Sequence, residues 1–97
     1  MLRYTVAPAR APRSYQRSAE QMLRRMMDDL GYVGVMAVEL FDEDGRLLVN
    51  ELAPRVHNSG HWSQDGATTD QFELHLRALC GLPVHSPRAV GQTVMIN

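Results

Sequence analysis

The sequence lacks several features that would place the protein in a specialised class. It has a single cysteine, Cys80, so no disulfide can form within the chain, and this usage fits a reducing compartment. No apolar run approaches the roughly 18 residues that a membrane-spanning helix needs. The first thirteen residues lack the long apolar core of a secretory signal. We therefore expect one small cytoplasmic domain of 97 residues with no membrane partner.

Charge and aromatic residues are also sparse in the combinations that nucleic-acid binding uses. The formal net charge is −1, and aromatic residues make up 6% of the chain. Arginines predominate in the first 25 residues, where Glu20 is the only acid, but they are neither densely clustered nor interleaved with aromatic residues. We interpret these arginines as a solvated helix face and expect no nucleic-acid partner. Hydrophobic residues make up 44%, which is typical of a folded globular protein.

Two helices are indicated by apolar residues at helical spacing. Within residues 13–30, the apolar positions recur on one face of a helix. Gly31 follows as a residue that can adopt the left-handed conformation that ends a helix. Thr68 is predicted to open a second helix, because its hydroxyl and the carboxamide of Gln71 have the form of a capping box. Gly81 is expected to end this helix.

The other apolar segments are predicted strands. Residues 32–41 are apolar on both faces, which is typical of a covered strand, and a turn then leads into a returning strand at residues 46–53. Residues 2–7 and 93–97 are also predicted strands. Because neither has a visible partner, we expect both to be edges cut from a larger sheet. The expected fold class is α+β, a mainly antiparallel sheet with two packed helices.

Polar side chains are concentrated in residues 50–62, directly after the apolar strand residues 47–49. The segment holds two asparagines, one glutamate, one arginine, two histidines and one serine. Loops positioned by regular elements commonly carry functional groups, and these groups suit anions and metal ions. The segment is therefore the first candidate for a functional site.

Glu39 and Glu51 are the candidate metal ligands. A three-residue hairpin loop would place Glu39 opposite Val49, with Glu51 as its diagonal neighbour on the same face. Two carboxylates in that arrangement could share Mg²⁺ with substrate phosphates, and Asn50 and Asn58 could add amide oxygens. The sequence therefore predicts an oxygen-ligated magnesium site on the hairpin.

Three other interpretations of these polar residues are possible. The two glutamates could simply form salt bridges with Arg46 or Arg55. A zinc site at His57 and His61 is disfavoured, because the segment between them breaks any helix and no Cys-x-x-Cys pair is present. A nucleophilic pair of Ser59 and His57 is disfavoured as well, because no orienting acid or nucleophile elbow is apparent.

Two motifs closely resemble the 5-(carboxyamino)imidazole ribonucleotide synthases, the PurK enzymes of de novo purine synthesis. They are NELAPRVHNSGHW at residues 50–62 and QFELHLRA at residues 71–78. Residues 2–8 and 32–35 also resemble this family, so the resemblance covers essentially the whole chain. It implies a partial ATP-grasp domain within a carbon–nitrogen ligase.

The resemblance also implies how the chain is divided. Residues 1–82 would be the carboxy-terminal half of an ATP-grasp domain, and residues 83–97 a linker and the first strand of a truncated carboxy-terminal region. The half with the lysine that contacts nucleotide phosphates would be missing, so we expect a fragment that is inactive alone. The alternative is a free-standing nucleotide- or anion-binding module that acts with a partner chain.

In the family, ATP phosphorylates bicarbonate to carboxyphosphate, and the amine of 5-aminoimidazole ribonucleotide captures the carboxyl carbon. The resemblance implies ATP and Mg²⁺ as cofactors, with Glu39 and Glu51 as metal ligands and Asn50 and Glu51 beside the nucleotide. Bicarbonate and the ribonucleotide would be bound by Arg55, His57, Asn58 and Ser59. Arg55 would also be catalytic. The expected partners are these substrates, the missing remainder of the enzyme and a second copy in a homodimer.

Overall fold

The computed structural model describes residues 2–97, in which it places four strands and three α-helices. In chain order these are β1 (Tyr4–Ala7), α1 (Arg13–Leu30), β2 (Ala37–Glu43), β3 (Arg46–Ala53), α2 (Ser63–Gly66), α3 (Gln71–Leu79) and β4 (Thr93–Ile96). A 3-10 turn at Asn58–Gly60 precedes α2. The strands form two antiparallel two-stranded sheets, β1–β4 and β2–β3. The predicted α+β class is confirmed, and the short α2 is an addition to it.

Helix α1 has the bounds that the apolar spacing predicts. Gly31 ends it in the left-handed conformation, with φ 59°, and its N–H donates to the carbonyl of Asp28 at 3.1 Å. Tyr15, Met22 and Met26 lie on its half-buried face. No residue of α1 is fully buried. The helix therefore lies on the surface with its apolar face only partly covered.

Strand β2 is shorter than predicted because residues 32–36 form an irregular segment. The Tyr32 hydroxyl donates to the carbonyl of Val35 at 2.8 Å, and the N–H of Val35 donates to Nδ1 of His75 at 3.0 Å. Gly34 has φ 123°, and a Cβ there would lie 2.8 Å from the His75 ring. The contact with α3 thus holds this segment outside the sheet, and regular pairing begins at Ala37.

The β2–β3 hairpin has a two-residue turn, so the predicted three-residue loop is wrong. Asp44 (φ 49°) and Gly45 (φ 90°) both adopt the positive φ of a tight hairpin turn. The Asp42 carboxylate accepts a hydrogen bond from the N–H of Gly45 at 3.1 Å. Glu43 consequently pairs with Arg46 across the strands.

The register changes once along the hairpin. Leu40 pairs with Val49, but Glu39 pairs with Glu51, so Asn50 is an extra residue on β3. This is the arrangement of a β-bulge, which bends the strand and re-aims its side chains. The predicted diagonal placement of the two glutamates is therefore wrong, because the bulge puts them directly opposite each other.

The first and last strands pair with each other. Tyr4 lies opposite Ile96 and Ala7 opposite Thr93 in one antiparallel ladder. The expectation that these two strands lack partners is therefore wrong. A pairing across nearly the whole chain is a long-range contact that neither short strand encodes by itself.

Helix α3 begins at Gln71, so the prediction that Thr68 opens it is wrong. Asp70 is the N-cap, and its carboxylate accepts a hydrogen bond from the N–H of Glu73 at 2.9 Å. The Thr68 hydroxyl instead accepts from the N–H of Arg88 at 3.0 Å. Thr68 thus ties the segment after α3 to the segment before it.

Few side chains are fully buried. The buried hydrophobic residues within residues 2–97 are Ala7, Met36 and Ala53, while Phe41 and Val49 on the hairpin are 58% and 56% exposed. The accessible surface is 7369 Å². A compact monomer of the same 10.9 kDa mass exposes about 5,600 Å². The chain therefore presents an unusually open, partly apolar surface.

Within residues 2–97, no helix has both the length and the apolar character to cross a bilayer.

Candidate metal and anion site

The polar motif turns back toward the hairpin as soon as β3 ends. Ala53, the last residue of β3, is buried, and residues 54–62 then form what we call the His57 loop. The loop passes through the 3-10 turn into α2. His57 is only 8% exposed, whereas Arg55, two residues earlier, is exposed. Burial of an imidazole requires polar partners, and the hairpin provides them.

Two carboxylates face each other at the bulge. Glu39 and Glu51 are directly opposite, with side chains 35% and 50% exposed. Like charges in this position oppose strand pairing. Asn50, the bulged residue, donates its side-chain amide to Oε2 of Glu39 at 3.1 Å. The bulge therefore both brings the negative charges together and supplies one hydrogen bond to them.

His57 connects the His57 loop to both carboxylates. Its Nε2 lies 3.4 Å from Oε1 of Glu51 and 3.7 Å from Oε1 of Glu39, and the imidazole is charged in these pairs only if protonated. Its Nδ1 lies 2.8 Å from the Ser59 hydroxyl. We call Glu39, Asn50, Glu51, His57 and Ser59 the carboxylate–histidine cluster.

The hydrogen bonds assign a tautomer to His57. The backbone N–H of Ser59 donates to Nδ1 at 3.3 Å, and because an N–H cannot accept, Nδ1 is an acceptor. The ring proton of the neutral imidazole is then on Nε2, which faces the two carboxylates. Ser59 thus orients the ring so that it presents a donor to Glu51 and Glu39.

The cluster bears on two of the alternative interpretations. Contrary to the expectation of no nearby acid, two carboxylates lie beside the His57 ring of the Ser59–His57 pair. Ser59 nevertheless lies in a 3-10 turn and not at a strand-to-helix elbow. Salt bridges to arginine do not account for the glutamates: within residues 2–97, the only basic side chain within 4.0 Å of either carboxylate is His57.

The other predicted site residues are placed less centrally. Arg55 is exposed, and its guanidinium donates to the carbonyl of Val56 at 2.9 Å. Its remaining donors are available to an anion. Asn58 is half-buried at the start of the 3-10 turn, where its carbonyl accepts from the N–H of His61 at 3.1 Å. The structure thus brings the cluster together, whereas the hydrogen bond of the Arg55 side chain is to the adjacent backbone.

The donor set of the cluster fits Mg²⁺ better than zinc. In the part of the chain that the structure describes, no group of three or more His, Cys, Asp and Glu side chains could hold a metal by itself. Mg²⁺ needs fewer protein ligands, because it takes one or two carboxylates and fills its shell with phosphate oxygens and water. Glu39 and Glu51 match that requirement. Zinc would need three or four protein ligands here.

Gln71 lies against the His57 loop, a position that was not predicted from the sequence. The sequence places it in a capping box and at the start of the QFELHLRA motif. In the structure it is 7% exposed and its side chain contacts the backbone of His57. It also contacts Nδ1 of His61 at 2.7 Å. The motif marked the segment but gave Gln71 no role, since the contact depends on how the His57 loop folds over α3.

Comparison with known proteins places this geometry in context. A family model described as the ATP-grasp domain matches residues 1–72. The chain is 56% identical over 97 residues to N5-carboxyaminoimidazole ribonucleotide synthase of Escherichia coli strain K12, covering 100% of this chain and 27% of that protein. It is 60% identical over 82 residues to the synthase of Vibrio parahaemolyticus, covering 84% of this chain and 22% of that protein. The chain thus spans about a quarter of the length of the curated relatives it matches.

Solved structures show the same relationship. N5-carboxyaminoimidazole ribonucleotide synthetase from Thermus thermophilus superposes with a TM-score of 0.96 and 52% identity, covering 100% of this chain and 27% of that chain. The synthase from Aspergillus clavatus in complex with ADP and 5-aminoimidazole ribonucleotide superposes with a TM-score of 0.87 and 33% identity, again over 100% of this chain and 27% of that one. The arrangement of strands and helices described above is therefore one that these longer solved chains share.

Proposed function

The chain belongs to the ATP-grasp family, and on that premise we propose that it forms part of an ATP-dependent ligase that carboxylates 5-aminoimidazole ribonucleotide. The product would be N5-carboxyaminoimidazole ribonucleotide, with bicarbonate as the carboxyl donor. The remaining three quarters of such an enzyme, including its other nucleotide-binding half, would come from outside these residues. A cytoplasmic location and a homodimeric assembly belong to the same proposal.

The observation that carries the proposal is the facing pair of Glu39 and Glu51 at the bulge. Opposed like charges weaken a hairpin, so a structural role alone does not account for them. A divalent cation held by both carboxylates would turn this repulsion into ligation. When bound, Mg²⁺ would neutralise charge on the transferred phosphoryl group, which is a large part of phosphoryl-transfer catalysis.

We assign roles to the chain's residues on this basis. Glu39 and Glu51 hold the cation, and Asn50 fixes the Glu39 carboxylate through its side-chain amide while lying beside the nucleotide. His57, oriented by Ser59, turns Nε2 toward the two carboxylates, which the hairpin register itself positions. The resemblance implies that His57 contacts the substrate directly. Because His57 is almost fully buried, we propose that it acts mainly on the carboxylates.

The exposed end of the His57 loop is the proposed substrate side. Arg55 offers a planar guanidinium to phosphate or to a carboxylated intermediate, a geometry that favours paired hydrogen bonds to such anions. Asn58 and Ser59 add polar groups next to it. The chain has ten basic side chains, all of them arginines, so a lysine acting on the nucleotide phosphates would have to lie elsewhere in the enzyme.

We also propose that the chain divides into the two parts that the resemblance implies. Residues 1–82 would belong to the ATP-grasp domain and residues 83–97 to a linker and the first strand of the next region. The end of α3 at Leu79, followed by Gly81 with φ 67°, supports a boundary there. Pairing of β4 with β1 means that the two parts would still share a sheet.

A chimera tests the proposed function. In the full-length E. coli relative, the matching segment is replaced by the 97 residues of this chain. We expect ADP release that depends on 5-aminoimidazole ribonucleotide, at a rate within about tenfold of the parent enzyme, a loss of ~1.4 kcal/mol at most. The proposed function is wrong if the chimera folds and binds Mg-ATP but releases no ADP in response to the ribonucleotide and bicarbonate.

A further inference from the structure

Gln71 is buried at the start of α3 with its side-chain amide against the backbone of the His57 loop. Its Oε1 accepts from the N–H of His57 at 3.0 Å, and its Nε2 donates to the carbonyl of His57 at 2.9 Å. We propose that Gln71 is a positioning residue that sets the His57 loop for binding of the ribonucleotide substrate. This inference rests on the proposed function and deepens it, because it names a residue that acts on the substrate through the loop.

Only a carboxamide satisfies this set of contacts. Nε2 has a second proton, which faces Nδ1 of His61 at 2.7 Å, so Oε1 and both N–H groups of the amide are used. A carboxylate in the same place would keep the acceptor for the His57 N–H but would turn an oxygen toward the His57 carbonyl. An apolar side chain would leave both His57 backbone groups unpaired in a buried position, which is costly.

The backbone of Gln71 extends the same clamp to the far side of the loop. Its N–H donates to the Ser63 hydroxyl at 3.0 Å, and that hydroxyl donates to the carbonyl of Gly60. Asp70 caps α3 immediately before Gln71 and so fixes the position of this backbone. The His57 loop is therefore held at two points by one residue whose own backbone is held by a helix.

Gly60 is an independent sign that the loop and Gln71 are fitted to each other. A Cβ at Gly60 would lie 2.6 Å from Oε1 and 2.9 Å from Cδ of Gln71. Such a contact could be relieved only by moving the Gln71 amide, and movement would break its three hydrogen bonds to His57 and His61. Gly60→Ala should consequently act like a change of Gln71 itself.

Displacement of the clamp would act on substrate binding more than on nucleotide binding. Asn58 and Ser59, which we place on the substrate side, follow the backbone that Gln71 holds. Glu39 and Glu51 are positioned by the hairpin register, and His57 adds only contacts of 3.7 and 3.4 Å to them. Errors of about 1 Å in the placement of binding groups can cost on the order of 100-fold in rate. The expected signature is therefore an effect on one substrate and not a uniform loss.

The test uses the chimera with Gln71→Glu, which keeps the shape of the side chain. We expect the KM for 5-aminoimidazole ribonucleotide and its calorimetric Kd to rise on the order of 10- to 100-fold. The KM for Mg-ATP should change less than about threefold. Gln64→Glu, the same change at an exposed position of α2, is the matched control and should alter neither constant. Gly60→Ala should reproduce the selective rise while retaining the carboxamide.

Each other outcome has a definite meaning. If Gln71→Glu lowers kcat with both KM values unchanged, or raises both equally, Gln71 has only a general structural role and the inference is overturned. Failure of both Gln71→Glu and Gly60→Ala to fold overturns it in the same way. If the unsubstituted chimera folds but has no ribonucleotide-dependent activity, the proposed function fails, and this inference fails with it.

Discussion

Replacing Glu51 by Gln in the chimera separates metal binding from structural support. The change keeps the shape of the side chain and removes one of the two charges that face each other at the bulge. It also removes the charged acceptor that lies 3.4 Å from Nε2 of His57. The consequences for stability and for turnover are expected to differ in size, and the structure allows each to be worked out separately.

The effect on stability should be small. Directly opposed side chains across two strands contribute roughly 0.2–1 kcal/mol, and like charges act against pairing. The Glu51 side chain is 50% exposed, so solvent screens much of this repulsion. Relief of repulsion and loss of the His57 contact have opposite signs. We expect a net change below about 1 kcal/mol, or less than about 4 °C in Tm.

The effect on turnover should be large. A carboxylate that holds Mg²⁺ supports charge stabilisation worth several kcal/mol, so we expect a fall of at least about 100-fold, equivalent to ~2.7 kcal/mol. The assay is ribonucleotide-dependent ADP release with Mg²⁺ titrated from limiting to saturating. Glu43→Gln is the matched control, because Glu43 is on the same hairpin, is exposed and pairs with Arg46. Turnover within threefold of the unsubstituted chimera for Glu51→Gln, or equal losses for both variants, would refute the metal assignment.

The remaining predictions concern the isolated chain and its caps. Calorimetry of the isolated 97-residue chain with Mg-ATP should give no saturable binding, since half the nucleotide cleft is expected elsewhere; clear saturation would favour an independent binding module. Asp70→Ala in the chimera should destabilise by about 1 kcal/mol through loss of the α3 cap, while Asp70→Asn should restore most of it; equal unfolding midpoints for the two would contradict the cap. Gly31→Ala should cost about 1–2 kcal/mol from its left-handed φ alone, because nothing lies within 4 Å of the added Cβ. Gly34→Ala should cost more, since its Cβ also meets the His75 ring at 2.8 Å; the reverse order in denaturant unfolding would show that the His75 contact yields easily.

Local signals predicted several elements with good bounds. The apolar spacing of residues 13–30 and the glycine after them predicted α1, whose hydrogen bonds are all between near neighbours in sequence. The returning strand at residues 46–53 was predicted for the same reason, because its paired residues are three to sixteen positions away. By contrast, Thr68 satisfied the sequence pattern of a cap but is used in a bond to Arg88, twenty residues along the chain.

The candidate site shows the same division. The types of residue in it, two carboxylates, an imidazole and a loop with Arg55, are visible in the sequence and predict magnesium and anion chemistry. Their arrangement was predicted wrongly, because a tight turn and a bulge at Asn50 together moved the register from the diagonal to the direct pairing. Turn type and bulge depend on backbone conformations that several residue combinations can adopt.

The sequence by itself determined the helices and the hairpin, the chemical groups available to the site and the family to which the chain belongs. Only the tertiary structure decided that β1 pairs with β4 and that Glu39 faces Glu51. It also decided that His57 of the His57 loop lies beside both glutamates and that Gln71 holds this loop. The physical reason is that periodicity and capping patterns act over one or two turns of chain. Contacts between distant segments depend on how those segments pack against each other, which no local pattern encodes.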